Sequence, residues 1–172
     1  MALFRDHADV SVRPAVPGDE EAVTRVQLAA WRSAPALGDS VVDLVDATAV
    51  RERWAQAVTA PPGPGFAVLV ALAGPRVVGF AAVAPGQVLA LEVEPDHRHG
   101  GHGSRLLAAA VDRLRADGAG ELVTWVLEGD TGREEFLAAA GLGPDGLERA
   151  LAVGMDDEGV RSVVERRWAA LL

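Results

Sequence analysis

The alternation of apolar and polar positions changes period several times along this chain, and each change marks an element. Val10-Ser11-Val12-Arg13 alternates with a period of two, as a strand half buried on a sheet does. Pro17-Gly18-Asp19 then opens a helix, with acidic Asp19, Glu20 and Glu21 where the helix dipole favours them. Val23, Val26, Leu28 and Ala30 continue that helix to about Arg32. A second helix is expected from about Val41 to Val58, ended by Ala60-Pro61-Pro62-Gly63. Residues 66–84 are apolar enough to suggest a membrane span, but Gly74-Pro75-Arg76 interrupts them. Each flank has the length of a strand, so the segment reads as two strands, about Phe66–Leu72 and Val77–Val83, around a turn.

Gln87–Val93 reads as the next strand, ended by Pro95. Over residues 103–117, Leu106, Leu107, Ala110, Val111 and Leu114 fall on one helical stripe, and Gly118 and Gly120 stop it. Residues 122–127 form a buried strand and residues 131–140 a short helix stopped by Gly141. Residues 147–153 and 160–168 are read as a closing hairpin, with Gly154–Gly159 as its loop; the alternative for the last segment is a helix. The order predicts an α+β domain on a single mixed, mostly antiparallel, twisted sheet of about seven strands, with about four helices. Strand 87–93, helix 103–117 and strand 122–127 form its right-handed parallel crossover.

At 172 residues, one domain over 1–172 is expected. With no cysteine, disulfides, thiolate metal sites and cysteine nucleophiles are excluded, which fits a cytoplasmic protein. The opening MALFRDHADV lacks the apolar core of a secretory signal. Sixteen basic against 25 acidic residues give a net charge of −9, the wrong sign for a nucleic-acid binder. An anionic ligand therefore needs a local feature to hold it.

That feature lies in VEPDHRHGGHGSRLLAAAV, residues 93–111, where a strand passes through a loop into a helix. Gly100, Gly101 and Gly103 stand at the helix entry, and glycine lets a ligand approach main-chain N–H groups closely. The first N–H groups of a helix have no internal partner, and the dipole makes that end electropositive. The arrangement suits phosphate, with Arg98 adding charge; the alternative is a glycine-rich turn that binds nothing. Neither GxxxxGK[ST] nor GxGxxG is present. His97, His99 and His102 are read as variable positions of such a loop, with no metal site assigned.

The spacing Arg98-x-x-Gly101-x-Gly103 resembles the acetyl-CoA signature [QR]-x-x-G-x-[GA] of the GNAT superfamily of N-acetyltransferases. VRPAVPGDEEAV resembles the family's first strand and helix start, and FLAAAGLGPDG its late helix and turn. The resemblance implies a GNAT-like fold and acetyl-CoA as co-substrate. It implies a pyrophosphate on the backbone of His99, Gly100, Gly101, His102, Gly103 and Ser104, beside Arg98. It also implies pantetheine along the strand edge at Leu91, Glu92 and Val93, and near Asp130, where many relatives carry Asn. The implied activity is direct acetyl transfer to a primary amine of a small molecule or peptide N-terminus; the alternative is a non-catalytic acyl-CoA sensor. Glu92 is the candidate base, with Glu128 a weaker one, while Gln87 stands near where some relatives carry a basic Glu. Leu137 occupies the place of the family's proton-donating tyrosine, and the chain contains no tyrosine. Trp31 and Trp54 lie on helices that line the acceptor site in this family; core packing is the other reading. By analogy, the C-terminal hairpin with Trp168 offers an edge for a homodimer. No nucleic-acid or membrane partner is expected.

Overall fold

A computed structural model describes residues 10–157 and 159–172. Seven strands form one sheet in the order β1-β2-β3-β4-β5-β7-β6, where β1 is Val10–Pro14, β2 Ala67–Ala73, β3 Arg76–Ala84, β4 Gln87–Val93, β5 Glu121–Leu127, β6 Gly143–Asp156 and β7 Gly159–Leu171. The helices are α1 (Glu20–Ser33), α2 (Gly38–Val42), α3 (Ala47–Thr59), α4 (His102–Ala116) and α5 (Thr131–Ala139). All strand neighbours are antiparallel except β4 and β5, which the α4 crossover makes parallel. The apolar segment 66–84 is the β2–β3 hairpin, and no helix among the described residues is long and apolar enough to cross a membrane.

Helix α4 uses its predicted stripe: Leu106, Leu107, Ala110 and Leu114 are buried against Leu69, Ala81, Val83, Leu91 and Val93 of the sheet. On the other face Val23 and Val26 of α1 pack with Val70, Val77 and Phe80. Because β3 is covered on both sides, nearly every residue from Val77 to Ala84 is buried. This explains its continuous apolar run.

Two expectations need correction. The single helix over 41–58 is two helices, because Asp46 adopts an extended conformation and its carboxylate accepts from the amides of Thr48 and Ala49 at 2.9 and 3.1 Å. An N-cap starts a helix and cannot sit inside one. The hairpin loop expected over Gly154–Gly159 is mostly strand, with Met155 paired to Val160 and Asp156 to Gly159. Residues 160–168 are strand, within β7.

The feature that makes a site is where the sheet opens. β4 and β5 share one register pair, Gln87 with Val123. The Val123 amide donates to the Gly86 carbonyl at 3.0 Å, and Thr124 Oγ1 to the Val88 carbonyl at 3.0 Å. Beyond that the strands part.

Candidate active site

β4 pairs with β3 through alternate residues, so Leu91 and Val93 turn their main-chain groups toward the opening. Their carbonyls accept there from arginines rather than from a strand. Arg133 Nη1 donates to the Leu91 carbonyl, and Arg98 Nε to that of Val93 at 3.3 Å. Both residues thus stand at an open strand edge.

After β4 the chain makes a 3₁₀ turn at Pro95–His97 and enters α4 through residues in unusual conformations. His99 has φ 62° and Gly101, the N-cap, φ 85°. This left-handed conformation disfavours any residue with a Cβ, which accounts for the glycine at 101. No side chain caps α4, and its first backbone bond runs from the Arg105 amide to the Gly101 carbonyl. The first turn is therefore without a side-chain cap, at the positive end of a 15-residue helix.

The loop is braced from below. Glu94, buried at the end of β4, accepts from Arg25 Nε at 2.8 Å and from Arg76 Nη2 at 3.1 and 3.2 Å. Burial alone would raise its pKa, but the hydrogen bonds from Arg25 and Arg76 outweigh it and hold the carboxyl below its ordinary value. Sequence reading missed this anchor, because its partners lie 69 and 18 residues away and leave no periodic trace. His102 is buried, with Nδ1 lacking a hydrogen-bond partner. Burial first, then His97 and Arg105, hold its pKa below the ordinary value.

The open edge and the α4 entrance line one cleft of about 1330 Å³. Leu91, Glu92, Val93, Arg98, His99, Gly101, Gly103, Ser104 and Asp130 all border it. Gly100 and His102 do not, although their backbone belongs to the same turn. Asp130 is the N-cap of α5, accepting from the Arg133 amide at 3.1 Å. Glu92 faces Arg133 across the gap, with Oε2 2.8 Å from Nη2. Nothing in the sequence pattern singled out Arg133, whose two partners stand on a strand some forty residues earlier. Among the other candidates, Glu128 is exposed and pairs with Arg166 at 2.7 Å, and exposed Gln87 pairs with Val123 at the closed end of the gap.

An apolar stretch of the cleft is bordered by Trp31, Pro35, Leu37 and Val41 from α1, α2 and their link, by Leu44 after α2, and by Leu151 of β6. Trp125 lines its far side with Arg149 stacked 4.2 Å above the ring, and Glu165 fixes that arginine at 2.7 Å. The two helical tryptophans divide: Trp31 borders the cleft, while Trp54 packs edge-on against Phe80 at 5.0 Å and donates to Gln27 Oε1.

The site is thus a split parallel pair beside an uncapped, glycine-entered helix. Residues 27–142 match the family model described as the acetyltransferase (GNAT) family, and the chain belongs to that family. Its fold matches YncA of Salmonella typhimurium, solved with acetyl-CoA, with a TM-score of 0.68 at 20% identity over 95% of this chain and 94% of that one. It matches PaiA N-acetyltransferase of Thermoplasma acidophilum, solved with coenzyme A, at 0.75 and 15% identity over 95% and 99%. A ribosomal-protein-alanine N-acetyltransferase from Brucella melitensis matches at 0.72 and 23% identity over 94% and 99%. No curated protein matches in sequence.

Proposed function

We propose that this protein moves an acetyl group from acetyl-CoA to a primary amine of a small molecule or peptide N-terminus, both substrates being held in one ternary complex. The observation that carries this reading is the meeting, in one cleft, of an uncapped helix entrance and a strand edge that no neighbouring strand pairs. The first-turn amides of α4 suit the pyrophosphate, and the open edge at Leu91 and Val93 suits the two amides of a pantetheine arm. The residues we assign to the cofactor are Leu91, Glu92, Val93, Arg98, His99, Gly100, Gly101, His102, Gly103, Ser104 and Asp130. Bound acetyl-CoA supplies the activated thioester.

The protein's own part is positioning and proton handling. Holding amine and thioester together makes the encounter effectively unimolecular. Trp31 and Leu37 give the acceptor side an apolar wall. Glu92 borders the cleft and is the group we assign to take the amine proton, directly or through water. The chain has no cysteine for a covalent route.

Isothermal titration with acetyl-CoA, with dephospho and desulfo analogues as controls, tests the binding half. Micromolar affinity that weakens as phosphates are removed is expected; no binding at millimolar cofactor would end this reading. A panel of amines followed by thiol release tests the chemical half, with Glu92→Gln expected to slow turnover. A second reading, a non-catalytic acyl-CoA sensor, is favoured by the buried Leu137 standing where a tyrosine is expected. Tight binding with no thiol release for any amine selects it.

A further inference from the structure

Acetyl transfer leaves a thiolate, and this chain has no tyrosine to protonate it. Leu137 is apolar and 3% exposed. One turn earlier on the same face of α5 stands Arg133, and both residues border the cleft. The Arg133 side chain crosses from α5 to β4, donating to the Leu91 carbonyl and lying 2.8 Å from Glu92 Oε2. It is 23% exposed, so its charge is only partly screened by water. The other arginines bordering the cleft stand elsewhere: Arg98 is tied to the Val93 carbonyl and to Ser33 Oγ at the cofactor loop, and Arg53 lies on α3.

We propose that Arg133 is a catalytic residue that stabilises the departing thiolate by charge, in place of a proton donor. A guanidinium stays protonated at neutral pH, so it cannot deliver the proton; it can hold an anion in a half-buried site. The inference rests on the acetyl-CoA reading. The amine nitrogen forms the C–N bond, the C–S bond breaks, and its electron pair goes to sulfur. The amine proton goes to Glu92 or water, and the thiolate, paired with Arg133, later takes a proton from water. The Leu91 carbonyl belongs to the edge assigned to the pantetheine arm. The Arg133 guanidinium therefore gives up that hydrogen bond when the arm binds and is freed toward the sulfur end.

The test is the ionisation of bound coenzyme A, followed by the ultraviolet absorbance of its thiolate across pH. The thiol bound to wild-type protein is expected to ionise about one pH unit or more below that bound to Arg133→Gln. Arg133→Lys keeps the charge and should keep most of the effect. Glu92→Gln breaks the same ion pair but leaves the cation, so its midpoint should match wild type or fall lower. In turnover, Arg133→Gln should lower kcat by about a hundredfold with little change in the amine KM. Equal midpoints for wild type and Arg133→Gln would overturn the proposal, as would a rise in Glu92→Gln equal to that in Arg133→Gln. Failure of the wild-type protein to bind coenzyme A in calorimetry is a different result, and sinks the acetyl-CoA reading itself.

Discussion

Replacing Gly101 by alanine isolates what the glycine does. Its φ of +85° is left-handed, and a Cβ built there meets nothing within 4 Å, so the substitution introduces backbone strain without a clash. Holding a Cβ-bearing residue in that region costs about 1–2 kcal/mol. In a domain of this size that lowers Tm by about 2–8 °C. If the loop relaxes to a negative φ instead, strain falls but the first-turn amides of α4 are re-aimed. Each charge-assisted hydrogen bond to phosphate lost is worth about 1.5–3 kcal/mol, or roughly 10- to 150-fold in affinity. Gly118, just past the C-terminal end of α4, provides the control, since its φ is +83° and its Cβ position is equally empty. Gly118→Ala should lose similar stability and keep acetyl-CoA affinity, while Gly101→Ala loses both. Thermal unfolding and calorimetric titration of the two variants decide it. Equal affinities in Gly101→Ala, Gly118→Ala and wild type would refute the claim that this glycine aims a ligand-binding turn.

Other consequences can be checked alongside. Glu94 has a folded-state pKa below its ordinary value, so its stabilising contribution is complete above about pH 4.5 and is lost as pH falls toward the depressed value. Denaturant unfolding of Glu94→Gln should show a shallower acid-side loss and a cost of about 1–2 kcal/mol at neutral pH, modest because both arginines are substantially exposed. Asp19, held low by the Arg13 hydrogen bond, keeps part of the acid sensitivity in that variant. Leu114→Ala empties a fully buried place under α4 and should cost about 2–5 kcal/mol by the same measurement. Trp31→Ala should raise the amine KM severalfold and leave acetyl-CoA affinity unchanged, because Trp31 belongs to the apolar wall assigned to the acceptor; a loss of cofactor affinity would contradict that assignment.

Much of the fold was legible because local chemistry set it. The α4 stripe, the Gly74-Pro75 turn and the glycines before and after α4 act within a few residues, and β2, β3 and α4 fell within a residue of their expected bounds. The place of the glycine loop between β4 and α4 was legible for the same reason, since motif, strand end and helix start are contiguous. The break between α2 and α3 escaped because Asp46 sits in a stretch whose apolar spacing continues through it; the capping carboxylate was a signal that could have been weighed. Arg133 and the Arg25–Glu94–Arg76 cluster escaped because they join distant segments. The separation of β4 from β5 escaped because it begins at a bulge, where Leu89 is left out of the pairing with β3, and nothing in the apolar run of β4 marks that residue.

That separation also bears on how the molecule comes apart. Strands β1 to β4 occupy residues 10–93 and β5 to β7 residues 121–171, so each half-sheet is built from a contiguous stretch of chain. One strand-ladder contact joins them, with α4 as the shared buttress. Contiguous units of this kind open sub-globally, and the excursion this division sets up is a parting along the seam. A ligand lying in that seam touches both halves and raises the free energy of this opening by its own binding energy. Amide exchange would register it as slowed opening at the seam, Val93 and Leu127 among the residues affected, while Phe80, deep in the first half, exchanges at its ligand-free rate.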